Sequence, residues 1–276
     1  MKSAVTISLV EQAQGGPFVF WDDLPASIRK AAELGFDAVE IFAPSAQVLR
    51  SLNPAKLLAD HQMALAAVGT GAGWVIQKLT LTSADESIRA QAAAFIRDLI
   101  DIGAEHGAPA IIGSMQGRHN EQVDEQTALE YLCDGLVDLG QHAANRGVPL
   151  IYEPLNRYET NLINTLDEGV ALLQGLDTSN VKLLADLFHM NIEETDIAEA
   201  IRAAAGYVGH VHLADSNRRP AGCGHTDFPP IIAALRDIEY AGHLSAECFA
   251  YPEPDEAAKL TIEAFQGLVS QVHGSD

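Results

Sequence analysis

The chain has 276 residues, 47% of them hydrophobic and 6% aromatic, enough to bury a sizeable core. Its 17 basic and 38 acidic residues leave a formal charge of −21, which repels nucleic acid phosphates and anionic membrane surfaces and favours a small substrate. Cys133, Cys223 and Cys248 form no CxxC pair, no apolar stretch nears the roughly 20 residues of a membrane span, and MKSAVTISLVEQAQGG lacks a signal peptide's apolar region, so a cytoplasmic location without a disulfide framework or structural zinc is expected.

Short apolar runs alternate with longer segments of helical period from one end of the sequence to the other, and eight such units follow one another. The predicted strands are AVTISLV (4–10), FDAVEIF (36–42), MALAAVG (63–69), APAIIGS (108–114), VPLIYE (148–153), VKLLAD (181–186), YVGHVHL (207–213) and HLSAEC (243–248). Between them, Asp85 to Glu105 sets Ile88, Ala92, Phe95, Ile96, Leu99 and Ile102 at steps of three or four, so one helix face is apolar. Ser83 with Glu86, and Thr165 with Glu168, fit the S/T-x-x-E capping box of a helix start. Gly35, Gly147 and Gly242 precede strands, where a helix ends and the chain turns back.

Eight right-handed strand–helix units predict an α/β fold, a single (β/α)8 TIM barrel whose eighth strand closes on the first, with residues 1–276 as one catalytic domain. A doubly wound sheet ranks second, because no GxGxxG follows the first strand. GTGAG (69–73) has the wrong spacing and is followed by Trp74-Val75 instead of a clear helical pattern, so it reads as a βα loop.

In such a barrel the carboxyl ends of all strands converge on one mouth. The fifth to eighth predicted strands end in or near Glu153, Asp186, His212 and Glu247, each among apolar neighbours. Buried carboxylates without a partner are costly, and three carboxylates with one imidazole make a hard ligand set suited to Mn²⁺, Mg²⁺ or Co²⁺. A plainer reading exists for each alone; Asp186, for one, would serve as a helix cap. Four together at one mouth point to a metal site.

The flanking residues divide in the same way. His189 lies in DLFHMNIEE (186–194), expected to be a loop, and is either a site residue or a solvated histidine. Glu193 and Glu194 look like acids at a helix start. Arg218 lies in DSNRRPAGCGH (215–225), a loop long enough to reach over the mouth, although an ordinary surface arginine would look the same. Glu159 is either in the site or paired with Arg157.

EPLNRYE, ADLFHMNIEE, HVHLADSNR with its PAGCGHTDF tail, and LSAECF together resemble the signatures of the xylose isomerase-like sugar isomerase/epimerase family. Within it the sequence is most similar to the D-tagatose and D-psicose type of ketose 3-epimerases and to related keto-sugar-acid epimerases. The motifs cover residues 151–249, while the first half agrees mainly in barrel layout and in GTGAG. The resemblance implies a divalent cation, Mn²⁺ first and Co²⁺ or Mg²⁺ next, held by Glu153, Asp186, His212 and Glu247. It also implies substrate contacts from Glu159, His189 and Arg218, a sugar substrate, and assembly as a homodimer or homotetramer.

The expected chemistry is inversion at C3 of a ketose or keto-sugar acid. Glu153 and Glu247 would exchange a proton from opposite sides through an enediolate, with His189 and Arg218 donating hydrogen bonds to oxygens that gain charge and Glu159 orienting the C1 hydroxyl. One departure bears on the substrate. Where the resemblance leads one to expect an aromatic near the end of the fourth strand, this chain reads IIGSMQGR (111–118). There Gly113 leaves room and Arg118, unless it is only a surface residue, offers a planar fork to a carboxylate. Phe249 is a candidate apolar contact. An aldose–ketose isomerase on the same metal site is the nearest alternative. A non-catalytic sugar-binding barrel would have no use for two opposed carboxylates. An apurinic endonuclease-like nuclease needs more ligands and a basic groove, which a charge of −21 does not suggest.

Overall fold

A computed structural model of the chain describes residues 1–21 and 23–270; position 22 and positions 271–276 of the expected domain lie outside them. The first half runs β1 (Lys2–Ser8), β2 (Phe20–Trp21), α1 (Leu24–Leu34), β3 (Ala38–Phe42), α2 (Ala46–Ser51), α3 (Pro54–His61), β4 (Ala64–Gly69), α4 (Ala72–Gln77), α5 (Glu86–Ala104), β5 (Ala110–Ile112) and α6 (Glu125–Asn145). The second half runs β6 (Leu150–Tyr152), α7 (Leu166–Gln174), β7 (Val181–Asp186), α8 (Leu187–Glu193), α9 (Ile197–Ala203), β8 (Val208–His212), α10 (Phe228–Asp237), β9 (His243–Ala246) and α11 (Pro254–Ser270). Among the described residues no helix is long and apolar enough to cross a membrane.

All strand pairs are parallel, in the order β1-β3-β4-β5-β6-β7-β8-β9, and β9 pairs back onto β1 to close an eight-stranded (β/α)8 barrel. The closing seam is shared. β9 pairs with the lower part of β1 up to Val5 opposite Ala246, and the two-residue β2 then takes over at Ile7 and Ser8. Thr6 stitches the change by donating to the Ala246 carbonyl at 2.7 Å and accepting from the Val19 amide at 3.1 Å. The chain after Ala246 is thereby released from the sheet toward the mouth.

Side chains alternate across a strand, so each barrel strand has an inward and an outward set. The outward set joins the helices in one large core that includes Val39, Ile41, Leu183 and Val211, with Ile96 and Leu99 of α5. Inside lie two small apolar layers, Ala4, Ala38 and Ala66, then Ala67, Ile111, Ile151 and Leu184. Two residues further along their strands, Ala38 leads to Glu40, Ile111 to Gly113, Ile151 to Glu153 and Leu184 to Asp186. On three of these four strands the inward set therefore turns from apolar to ionisable at the carboxyl end, and Gly113 makes room on the fourth.

Local expectations fare unevenly. The Thr165–Glu168 capping box forms in full. Ser83 does not cap α5; Asp85 does, accepting from the Ser87 amide at 2.7 Å, because the helix begins two residues later than the motif suggested. GTGAG is a βα loop only at Thr70 and Gly71, since α4 starts at Ala72 and takes in Trp74 and Val75. DLFHMNIEE is helix α8, and Glu193 and Glu194 stand at its end instead of at a helix start.

Candidate active site

The barrel mouth gathers the four strand-end residues. Glu153 follows β6, its amide donating to the Ile112 carbonyl at 3.0 Å; Asp186 ends β7, His212 ends β8, and Glu247 follows β9. One ligand atom from each lies within 4.8 Å of every other. His212 Nδ1 sits at the centre, 3.1 Å from Asp186 Oδ2, 3.6 Å from a Glu153 oxygen and 3.7 Å from a Glu247 oxygen.

Asp186 is both a helix cap and a member of this cluster. Its Oδ1 accepts from the amides of Phe188 at 2.8 Å and His189 at 3.0 Å, which start α8, while Oδ2 faces His212. The capped helix carries His189 into the mouth, where it is 1% exposed instead of solvated. His189 Nδ1 lies 2.7 Å from the Asn156 side chain, and Nε2 has no hydrogen-bond partner among the described residues, 3.8 Å from Glu153 Oε1.

Arg218 comes from the loop after β8 and is not a surface residue. It bonds Glu247 at 2.6 Å and Glu159 at 3.2 Å, with its guanidinium 4.8 Å above the Phe188 ring. It adopts a positive φ of 59°, a conformation uncommon outside glycine. Asp215 holds this loop by accepting from the amides of Ser216, Gly222, Gly224 and Thr226. Arg157 pairs with Glu193 at 2.7 Å and not with Glu159; Glu159 accepts instead from Asn156 at 3.1 Å and from Arg218.

Two residues that the strand-end search passed over belong to the same assembly. Glu40, midway along β3, has Oε2 2.8 Å from His210 Nε2 and Oε1 3.2 Å from His212 Nε2. A glutamate facing the inside of an apolar strand, and the spacing His210-Val211-His212 on one face of another, were the signals available in the sequence.

The electrostatics follow from burial and crowding. Burial raises Glu247 most, with Glu153 and Asp186 adding to it, and together they hold its carboxyl up at about 7 against the pull of His212 and Arg218. Burial opposes charge on His212, but Glu40 and Glu247, with a hydrogen bond to Asp186 and the Glu153 carboxylate close by, outweigh it and keep the ring well above its usual value. Burial would also raise Glu40, yet the same histidines hold it ionised, well below the usual carboxylate range.

A divalent cation fits this donor set. Glu153 Oε1 is buried without a hydrogen-bond partner among the described residues, and three oxygens with one imidazole nitrogen converge on one small volume. The cavity above measures about 350 Å³ and opens between Glu153, Glu159, His189, Arg218 and Glu247 on one side and Phe18, Phe42 and Trp74 on the other. The missing aromatic at the fourth predicted strand is thus replaced by aromatics from other elements, and Phe18 stacks on Phe42 at 4.6 Å. Gly113 leaves room chiefly for Glu153: a Cβ built there would run into Glu153 Oε2. Phe249 does not line this cavity; it is 38% exposed.

The chain resembles proteins of known activity over most of its length. It is 32% identical over 238 residues to an L-ribulose 3-epimerase of Mesorhizobium japonicum, covering 85% of this chain and 78% of that one. It is 33% identical over 243 residues to a D-psicose 3-epimerase of Ruminiclostridium cellulolyticum, covering 84% and 82%. The crystal structure of D-psicose 3-epimerase with D-tagatose from Clostridium cellulolyticum H10 superposes with a TM-score of 0.80 at 28% identity, over 97% of this chain and 99% of that one. The sequence model of the xylose isomerase-like TIM barrel matches residues 28–268, and the chain belongs to that family.

Proposed function

We propose that the protein is a metal-dependent isomerase that inverts C3 of a ketose. The observation that carries this is the cluster at the mouth: Glu153 on the His189 side and Glu247 on the Arg218 side, both within 4 Å of His212 Nδ1 and both reaching the cavity. One carboxylate takes the C3 proton, and the electron pair left behind forms the C2–C3 double bond of an enediolate. The other, protonated from solvent, returns its proton to the opposite face of C3, and the first gives the abstracted proton up to solvent. A divalent cation held by Glu153, Asp186, His212 and Glu247 would supply Lewis-acid stabilisation of the charge that develops on the C2 oxygen. His189, through the open Nε2, and Arg218 donate to oxygens that gain charge, and Glu159 orients the C1 end.

Mn²⁺ is the cation we assign, because the donors are three hard oxygens and one imidazole. We assign a homodimer or homotetramer from the family resemblance, which sedimentation velocity checks. The direct test uses Mn²⁺-loaded protein in D₂O with D-psicose, D-tagatose, L-ribulose and a set of keto-sugar acids, followed by NMR. Metal-dependent deuterium uptake at C3 is expected. Metal-independent uptake, or none with any sugar, removes the epimerase assignment, and uptake at C1 makes the protein an aldose–ketose isomerase.

One observation favours a keto-sugar acid over a neutral ketose. A second cavity of about 500 Å³ includes Lys78 and Arg118 in its lining and shares Trp74, Ser114 and Glu159 with the first. Among the described residues neither cation is paired with a carboxylate, in a chain where acids outnumber bases 38 to 17. Replacing Arg118 with Ser is expected to raise KM for an acid substrate by about tenfold, the loss of one charge-assisted contact, and to leave a neutral ketose unchanged. Equal effects on both would remove the acid.

A further inference from the structure

We propose that Glu40 and His210 are positioning residues that fix how His212 presents itself to the cation. Three buried side chains from two strands make the arrangement. Glu40 comes from β3, while His210 and His212 sit two residues apart on β8, and all three are 5% exposed or less.

An ionised carboxylate only accepts hydrogen bonds, so a ring nitrogen facing it carries the proton. Glu40 Oε1 lies 3.2 Å from His212 Nε2, which makes Nε2 the donor. The lone pair of the neutral ring then falls on Nδ1, the nitrogen that looks into Asp186, Glu153 and Glu247. Without Glu40 the proton could sit on either nitrogen, and one of the two tautomers turns a proton toward the cation.

His210 supplies what Glu40 needs in order to do this. Its Nε2 lies 2.8 Å from the other oxygen, Oε2, so both carboxylate oxygens are engaged and rotation of the group is blocked. The two imidazoles meet edge to face, with centroids 5.5 Å apart and planes at 84°, which keeps His210 from competing for the carboxylate face used by His212. Glu40 also puts a fourth negative charge on the far side of the ring, which makes the ring a better donor to a cation. This inference rests on the cation proposed above.

The experiment measures binding of Mn²⁺ alone, by competition with a chromogenic chelator, for the wild type, Glu40→Gln and His210→Gln, with ion stoichiometry and thermal unfolding of each metal-free protein. An amide at position 40 keeps the shape but presents both a donor and an acceptor, so it no longer selects the tautomer. Glu40→Gln is expected to bind Mn²⁺ about 10- to 100-fold more weakly, with a metal-free Tm near that of the wild type. His210→Gln leaves Glu40 in place, and its smaller weakening serves if Glu40→Gln does not fold. Unchanged Mn²⁺ affinity in a folded Glu40→Gln overturns the inference. So does a wild type holding two ions, one of which Glu40→Gln loses, since Glu40 and His210 would then be ligands themselves. A wild type that binds no Mn²⁺ removes the proposed cation and this inference with it.

Discussion

Replacing Gly113 with Ala separates the catalytic use of a backbone position from its use in folding. Gly113 follows β5 with a negative φ of −105°, so it does not occupy the left-handed region that favours glycine. A methyl group built there would come closer to Glu153 Oε2 than the 3.0 Å that real Cβ atoms keep, while its next neighbours, Glu153 Cδ at 3.5 Å and a Leu155 methyl at 3.9 Å, are at ordinary contact. The only atom that must move is the carboxylate oxygen, by on the order of 1 Å, and a displacement of that size costs roughly 100-fold in rate, about 2.7 kcal/mol of transition-state stabilisation. Because that oxygen ends a flexible side chain, the folded state gives up little, and a Tm within a few degrees of the wild type is expected. The assay pairs C3 epimerisation of D-psicose with thermal unfolding of the metal-free protein. Activity within threefold of the wild type would show that the Glu153 carboxylate does not have to be where it stands.

Metal affinity should fall with acid: Glu247, held up at about 7 in the metal-free protein, must lose its proton to bind a cation, and His212, also raised, must lose one from Nδ1. Mn²⁺ affinity is therefore expected to weaken by at least about tenfold per pH unit below pH 7, with protons released on binding; calorimetry in buffers of different ionisation enthalpy measures both, and a flat profile between pH 5.5 and 7 contradicts it. Asp215→Asn turns an amide NH₂ toward the Gly222 and Gly224 amides, which now donate to Oδ2 at 2.9 and 2.8 Å. A loss of about 3 kcal/mol and a Tm lower by about 6–10 °C are expected, with a fall in kcat as Arg218 loses its support; an unchanged kcat would separate the loop from the chemistry.

The barrel was legible because most strands are short apolar runs closed by glycine or by a charge, and parallel strands covered on both faces read in that way. All eight predicted strands are observed, VKLLAD with its bounds unchanged as β7 and the others trimmed at one or both ends or shifted by up to two residues, as β5 (Ala110–Ile112) is within APAIIGS; the two-residue β2 was not predicted. Convergence of strand ends then brought Glu153, Asp186, His212 and Glu247 together from sequence alone. What escaped was inside the strands or between elements. Glu40 sits mid-strand, and its meaning depends on a histidine 170 residues away across the barrel. His189 was read in a loop because DLFHMNIEE carries no apolar period, whereas the Asp186 cap alone is enough to start a two-turn helix. The partners of Arg157 and Glu159 could not be chosen locally, because two glutamates compete for one arginine and the fold places Glu193 nearer.

The double duty of Asp186 reaches beyond the reaction. One oxygen starts the helix that carries His189, and the other faces the cluster of donors, so on the proposed function a change at this position is expected to disturb cation and sugar at once. Variation that alters the substrate range without that cost is open only to side chains with a single task, such as Trp74, Lys78 and Arg118 on the rim. The rim is therefore expected to tolerate substitutions that the two oxygens at the end of β7 do not.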